Sequence, residues 1–385
     1  MITVIRISLL LIASSFSVNA WASDWIKRAD FGAEGRHRGT ALSIGNKGYM
    51  GLGHYNGAGP NIVKADWWEY DPATNAWTQK ADYNGNGATG SYAVLAFTIG
   101  NYGYIGGGQV ASNTSFHRYD PMTNTWSPVA NTPTMVANTE GFAIGDKGYY
   151  ISGGNLYEYD ATLNNWTTKN PVPFSVWAWP STFVIDGKGY MKTGNSLWEY
   201  KPTLDQWTPR ATFPGLSTAG SVSFVQNNRG YIIAGFSGSL ANVNSEVWEF
   251  DPGTNTWLQL EEFKGTSRRY SSGFSIGNRC YLGIGTNGTN FNDFWEFDAL
   301  AANGELELET VSCYPNPATD QITFKSRNAY SFGLEIYAAT GKMIYRSGKD
   351  QFEHQVILQD FESGVYFYNL QNDQGAVITN RFVVQ

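Results

Sequence analysis

The sequence predicts an all-β chain: a propeller of six blades followed by a small Ig-like β-sandwich. Three observations carry this. A Gly-Tyr pair, strict or with one change, recurs with its tyrosine at Tyr49, Tyr104, Tyr149, Tyr190, Tyr231 and Tyr281, a mean period of about 46 residues, and repetition at that period marks propellers and solenoids. A tryptophan closes successive units at Trp77, Trp126, Trp166, Trp207 and Trp257. After the sixth unit the pattern changes to short alternating strands without the repeat, as expected of a small sandwich.

The chain begins with a positive Arg6, an apolar run from Ile7 to Val18 and the small-x-small site Ala20-Trp21-Ala22. That is the layout of a cleaved export signal over residues 1–22. A formal net charge of -7, with no Lys/Arg run beyond pairs such as Arg268-Arg269, argues against a nucleic-acid binder, which needs a basic stripe to displace counterions. Cys280 and Cys313 fall in different domains and are expected to be unpaired thiols.

Each repeat has one grammar, and the first copy illustrates it. Ala41 to Tyr49 gives two strands, a and b, joined by the Gly45-Asn46 turn. Strand c carries an aromatic-Glu-aromatic alternation, Trp68-Glu69-Tyr70, whose period of two sends the aromatics to one face. Asp71-Pro72-Ala73-Thr74-Asn75 makes the next turn, the Asp placed to accept from following amides and the Pro presetting φ. Strand d begins near Trp77. The sixth unit ends at Phe297-Asp298 without a closing Trp, and the missing piece stands at the front as Asp24-Trp25-Ile26-Lys27-Arg28-Ala29-Asp30. The N-terminal strand is therefore expected to complete the last blade and close a ring over residues 23–298, hiding the sheet edges.

The Gly-Tyr pair and the trailing Trp resemble the kelch family of propellers over about 275 residues. The double glycine of that family survives only as Gly106-Gly107-Gly108 and Gly153-Gly154. Residues 299–310 read as a linker. From residue 311 to 385, Tyr314-Pro315-Asn316-Pro317, Thr340-Gly341-Lys342, Ser363-Gly364-Val365-Tyr366 and a terminal Arg381-Phe382-Val383 appear in order. They resemble the C-terminal sorting domain of the type IX secretion system. The resemblance implies contact with that machinery and passage through an outer membrane to the cell surface or beyond.

Catalytic signals are sparse. His37, His54, His117 and His354 form no metal-binding spacing, and no Gly-x-Ser-x-Gly elbow occurs. Gly85-Asn86-Gly87-Ala88-Thr89-Gly90 lacks a following helix and reads as a loop. No cofactor is expected; the Asn/Gly-rich loop Thr286-Asn287-Gly288-Thr289-Asn290 is the place where Ca²⁺ could bind through oxygens. Some kelch-like propellers are copper radical oxidases resembling galactose oxidase, but Cys280 stands at a turn where repeats hold Gly48 and Gly148. Others isomerise acidic sugars with Arg and a general base.

Uneven loops suggest where a ligand would sit. Blades 1, 5 and 6 carry long b–c loops, whereas blades 3 and 4 have almost none, so the ring gains a wall on one side. Thirteen residues before each repeat tyrosine stand Arg36, Ser91, Val136, Trp177, Thr218 and Arg268. Arg36 and Arg268 fall on the walled side, Trp177 opposite, and Trp67, Trp177 and Trp179 are the tryptophans without a repeat role. These residues make a candidate ligand site: guanidinium forks for a carboxylate or sulfate and indole faces for a sugar ring. Glu140 is the candidate base if chemistry occurs. The expected function is binding of a carbohydrate or a protein partner by a monomer, with a sugar-modifying enzyme of the acidic-sugar epimerase type as the alternative.

Overall fold

The structure, a computed structural model, describes residues 24–56, 61–110, 113–177, 179–298, 311–326, 331–372 and 377–385. The expected signal and linker lie outside them.

Six four-stranded antiparallel sheets form the first region. In blade 1 the strands run from the inside outward as a (Thr40–Ile44), b (Lys47–Gly51), c (Trp67–Asp71) and d (Ala76–Lys80). The inner strands of blades 2 to 6 are Leu95–Ile99, Phe142–Ile144, Ser181–Ile185, Val222–Gln226 and Ser272–Ile276. In the sixth sheet the outermost strand is Asp24–Lys27, paired with Phe294–Asp298 in the register Trp25↔Phe297. The first and last strands of the propeller thus share a sheet, and no blade keeps an open seam.

The repeat residues are the parts of a recurring joint. The glycine of the Gly-Tyr pair leaves room for an aromatic ring from the neighbouring inner strand: a Cβ on Gly48, Gly148, Gly189 or Gly230 would collide with Phe274, Phe97, Phe142 or Phe183. Cys280 replaces that glycine in blade 6, and there Phe224 packs against Gly273 instead. The tyrosine hydroxyl donates to the strand-c glutamate, as Tyr149 to Glu158 and Tyr190 to Glu199 at 2.8 Å. A second joint lies at the rim. Asn75, in the left-handed region at φ 52°, accepts from the Tyr70 hydroxyl (2.9 Å) and from the backbone N–H of Ala29 (3.0 Å). The Trp77 indole donates to the carbonyl of the same Ala29 at 3.1 Å. Asn124 with Trp126 on Ala81, Asn164 with Trp166 on Ala130, and Asn255 with Trp257 on Ala211 repeat this grip. The Trp and Asn of the repeat are therefore blade-to-blade clasps.

The second region is a sandwich. One sheet holds Val311–Tyr314, Gln321–Ser326 and Glu353–Ile357; the other holds Gly333–Ala338, Met343–Arg346, Gly364–Gln371 and Val377–Val384. Alternate residues such as Ile322, Phe324, Leu334, Ile336, Tyr366, Tyr368 and Phe382 fill the space between them. Cys280 and Cys313 are both free thiols.

Candidate functional site

Three of the sequence-derived site residues are withdrawn from any ligand. Arg36 and Arg268 are wholly buried, and so is Trp67. Arg268 forks onto Asp293 at 2.5 and 2.8 Å and donates to the Ile284 carbonyl at 3.1 Å. Arg36 repeats this with both oxygens of Asp66 and with the Leu52 carbonyl. Leu52 and Ile284 have left-handed backbone (φ 57° and 52°) where the b–c loop leaves the sheet, and the arginine satisfies the carbonyl exposed there. Ser91 does the same for Gly107 in blade 2 at 3.1 Å. The thirteenth position before the tyrosine is thus a loop-anchoring position. Burial alone would raise the Asp293 carboxyl; the Arg268 fork and the Trp295 indole override it and hold it below the usual range. Trp67 sits at the buried strand-c position that Phe116 and Phe294 occupy in blades 2 and 6. It does have a repeat role, in the core against Tyr49, Tyr119 and Trp126.

In blade 4 the thirteenth position before the repeat tyrosine is Trp177, which faces solvent, 60% exposed. Blade 4 turns from b to c through Gly194-Asn195 alone, so it offers no loop carbonyl to anchor. The long connection of blade 5 is not a loop either: its b and c strands continue as Arg229–Ser237 and Ser239–Asp251. In blade 6, the oxygens of the Thr286–Asn290 segment bond within it, Thr286 Oγ1 to the Thr289 carbonyl and the Thr289 amide to Asn287 Oδ1. No cluster of three or more His, Cys, Asp or Glu occurs among the described residues.

The pore mouth is built two residues further along. Arg38, Ala93, Asn138, Trp179, Gly220 and Tyr270, one from each blade, all have left-handed backbone with φ between 56° and 66°. Each N–H donates to the carbonyl of the preceding member: Ala93 to Arg38, Asn138 to Ala93, Trp179 to Asn138, Gly220 to Trp179, Tyr270 to Gly220 and Arg38 to Tyr270, at 2.9 to 3.2 Å. This closed circle of backbone hydrogen bonds offsets the cost of left-handed φ at five non-glycine residues. It also gathers five unlike side chains and a glycine at one place, the end of a central channel whose cavity is ≈ 320 Å³.

At that mouth the Arg38 guanidinium lies 4.8 Å from the Trp179 ring centre and 4.5 Å from that of Tyr270. Its other close neighbour is His54, 3.4 Å away at Nε2. His54 packs on His37 and on Tyr92, with ring centres 4.1 and 4.4 Å apart. Burial, reinforced by the neighbouring cations, lowers His37 to about 3 and His54 to about 4, so both rings are neutral near pH 7. Arg269 donates to the Leu240 carbonyl at 2.5 Å. Arg28, Arg36, Arg210, Arg229, Arg268 and Arg279 each face a carboxylate. Arg38 and Arg269, like Arg118 over the Tyr102 ring on blade 2, face none among the described residues, and the buried Nε–H of each has no acceptor. Asn138 Oδ1 at the same circle is likewise buried and unpartnered.

Glu140 lines the channel just inside this circle. The corresponding inner-strand residues are Thr40, Leu95, Ser181, Val222 and Ser272, all buried. In blade 3 the inner strand pairs only from Phe142 onward, which leaves Glu140 to point into the channel. Its carboxyl is open to channel water yet enclosed by protein, and this burial raises it to about 7.

Known proteins resemble the two regions separately. Residues 96–133 match the Kelch motif, and residues 312–385 match the secretion system C-terminal sorting domain. Among solved structures, the one titled "Structure of YjhT" aligns with a TM-score of 0.57 at 17% identity, covering 69% of this chain and 96% of that chain. No curated protein matches. The chain is a kelch-type propeller with a secretion sorting domain. That sorting domain directs the kelch propeller through type IX secretion to the cell surface or outside the cell.

Of the sequence-derived candidates, Trp179 and Glu140 do meet at the channel, and Trp177 stands outside it. Sequence reasoning missed Arg38, Arg269, Asn138 and Tyr270. A signal existed: eleven residues before each repeat tyrosine the six blades agree on no residue type, although their backbone there is the same.

Proposed function

We propose that the propeller binds an acidic carbohydrate at the pore mouth, its carboxylate held between Arg38 and Arg269. The observation that supports this is that two guanidinium groups at the mouth are left without a carboxylate in an acidic chain. Guanidinium forks favour carboxylates, and a buried N–H without an acceptor gains most from one. Stacking on Trp179 and Tyr270 fixes the Arg38 plane before a ligand arrives, which lowers the ordering cost of binding. Unpartnered Asn138 Oδ1 supplies an acceptor for a hydroxyl of the same ligand.

The test is calorimetric titration of the purified protein with hexuronic and nonulosonic acids and with their neutral counterparts. Acidic sugars should bind, and Arg38→Ala or Arg269→Ala should weaken them by roughly 10- to 100-fold, the worth of a charge-assisted hydrogen bond. Equal affinity for acidic and neutral sugars, or no change in both variants, rules the reading out. Capture of a protein partner blocked by the same substitutions would instead favour protein recognition at this mouth.

One observation favours a second reading, an epimerase-type enzyme. Glu140 shares the channel and is poised near neutrality, which suits a general base. Solvent deuterium incorporated into a bound acidic sugar, and lost in Glu140→Gln, would establish it; a ligand recovered without exchange would leave binding alone.

A further inference from the structure

We infer a second carbohydrate site on blade 4, outside the channel, that takes an uncharged pyranose ring on the exposed face of Trp177. A groove of ≈ 320 Å³ opens there, where blade 4 passes from strand b to strand c through Gly194-Asn195 alone and lacks the long connection of blades 1, 5 and 6. Trp177 forms one side, held by its backbone N–H donating to Thr193 Oγ1 at 2.8 Å, and its indole lies beside Gly194, where a side chain would come within 3.9 Å of the ring. Phe174, stacked on Trp198 with ring centres 4.6 Å apart, forms another.

The polar groups select the ligand. None of the residues lining the groove is charged. Asn195 spends its amide N–H groups on the Phe213 and Gly215 carbonyls, leaving its oxygen as an acceptor, and Ser175 and Ser196 expose hydroxyls. The decisive group is Trp198. At the equivalent strand-c position, Trp68, Trp248 and Trp295 donate their indole N–H to Asp66, Glu246 and Asp293, the acid two residues earlier, at 2.8 to 3.1 Å. In blade 4 that acid is replaced by Ser196, and the Trp198 indole N–H is buried with no acceptor. A sugar hydroxyl supplies the missing acceptor, and an aromatic face with uncharged rim groups matches the apolar face and hydroxyl edge of a pyranose.

Trp177 and Trp179 are two residues apart, so their Cα atoms are separated by at most ~7 Å. A single oligosaccharide can therefore meet both the pore mouth and this groove, although the groove stands on its own observations.

Saturation-transfer NMR on the full protein tests this with neutral gluco-, galacto-, manno- and xylo-oligosaccharide tetramers. At least one should receive saturation on its ring protons. Trp177→Ala should weaken it about tenfold, the scale of a lost aromatic contact. Ser196→Asp, which restores the acid of the other blades and places a charge in the groove, should abolish it. Excess free hexuronic acid, the class of ligand proposed for the mouth, should not displace it, which separates this site from the mouth. No transfer to any neutral tetramer, or transfer unaltered in Trp177→Ala or in Ser196→Asp, overturns the inference.

Discussion

Arg36 and Arg38, like Arg268 and Arg269, are close neighbours in sequence with opposite employment. The first of each pair is wholly buried, forked onto a carboxylate and bonded to a loop carbonyl. The second emerges at the pore mouth without a carboxylate. The change happens where the chain enters its left-handed residue and turns toward the channel axis. The blade 4–5 boundary gives a third variant. There Lys192 reaches in from strand b, its ammonium 4.5 Å from the Phe213 ring centre and 2.6 Å from the Ser217 carbonyl, and burial lowers it to about 7. Charge type alone therefore predicts neither scaffold nor site; the partner does.

The contrast can be broken most forcefully at Arg268. Arg268→Ala should cost about 3–5 kcal/mol, because Asp293 is left as a largely buried charge without its fork. Urea unfolding of the full chain measures this, and a loss below about 1 kcal/mol would place the pair outside the scaffold.

A smaller loss is expected at the rim clasp. Asn75→Ala removes the acceptor shared by Tyr70 and Ala29, the contact that ties blade 1 to the closing strand, and should cost about 1–3 kcal/mol. Limited proteolysis should then cleave first near residue 24, where the closing strand begins.

Glu140 sharpens the comparison through pH. Its carboxyl titrates near 7 in the folded protein against 4.5 for an ordinary glutamate, so the native state binds the extra proton between those values. Stability contributed by this residue is intact below about 4.5 and falls as pH rises toward 7. Neutral His37 and His54 act in the opposite direction, since their lowered values make stability rise as pH approaches 6.5. The wild-type minus Glu140→Gln difference in denaturation midpoint isolates the carboxyl; a difference that does not change from pH 4.5 to 7 would mean that it is well hydrated.

The smallest stability effect belongs to the site itself. Arg269→Ala should change unfolding free energy by no more than about 0.5 kcal/mol while weakening acidic-sugar binding. A loss matching that of Arg268→Ala would assign both arginines to the scaffold.

Much of the fold was legible because each repeat residue performs its task locally or against the adjoining copy. Gly48 admits Phe274, Tyr149 reaches Glu158, and Trp77 with Asn75 holds Ala29; six variations on these contacts leave a periodic trace. The site was less legible. An offset of thirteen residues identified Arg36 and Arg268, whose position is periodic because it anchors loops. Trp67 looked exceptional only because the residue beside it, Trp68, is also tryptophan, although Trp67 fills the ordinary buried place.

The sequence by itself determined the six-fold order, the closing N-terminal strand and the change to a sorting domain after the propeller, since periodicity survives in one dimension. Tertiary structure decided which polar groups remain unsatisfied. Asp66 and Asp293 reach Arg36 and Arg268 across long loops, and the hydrogen-bonded circle brings Arg38 to Trp179 and Tyr270 from three different blades. Pairing of that kind depends on distances closed by the ring, which no local pattern encodes.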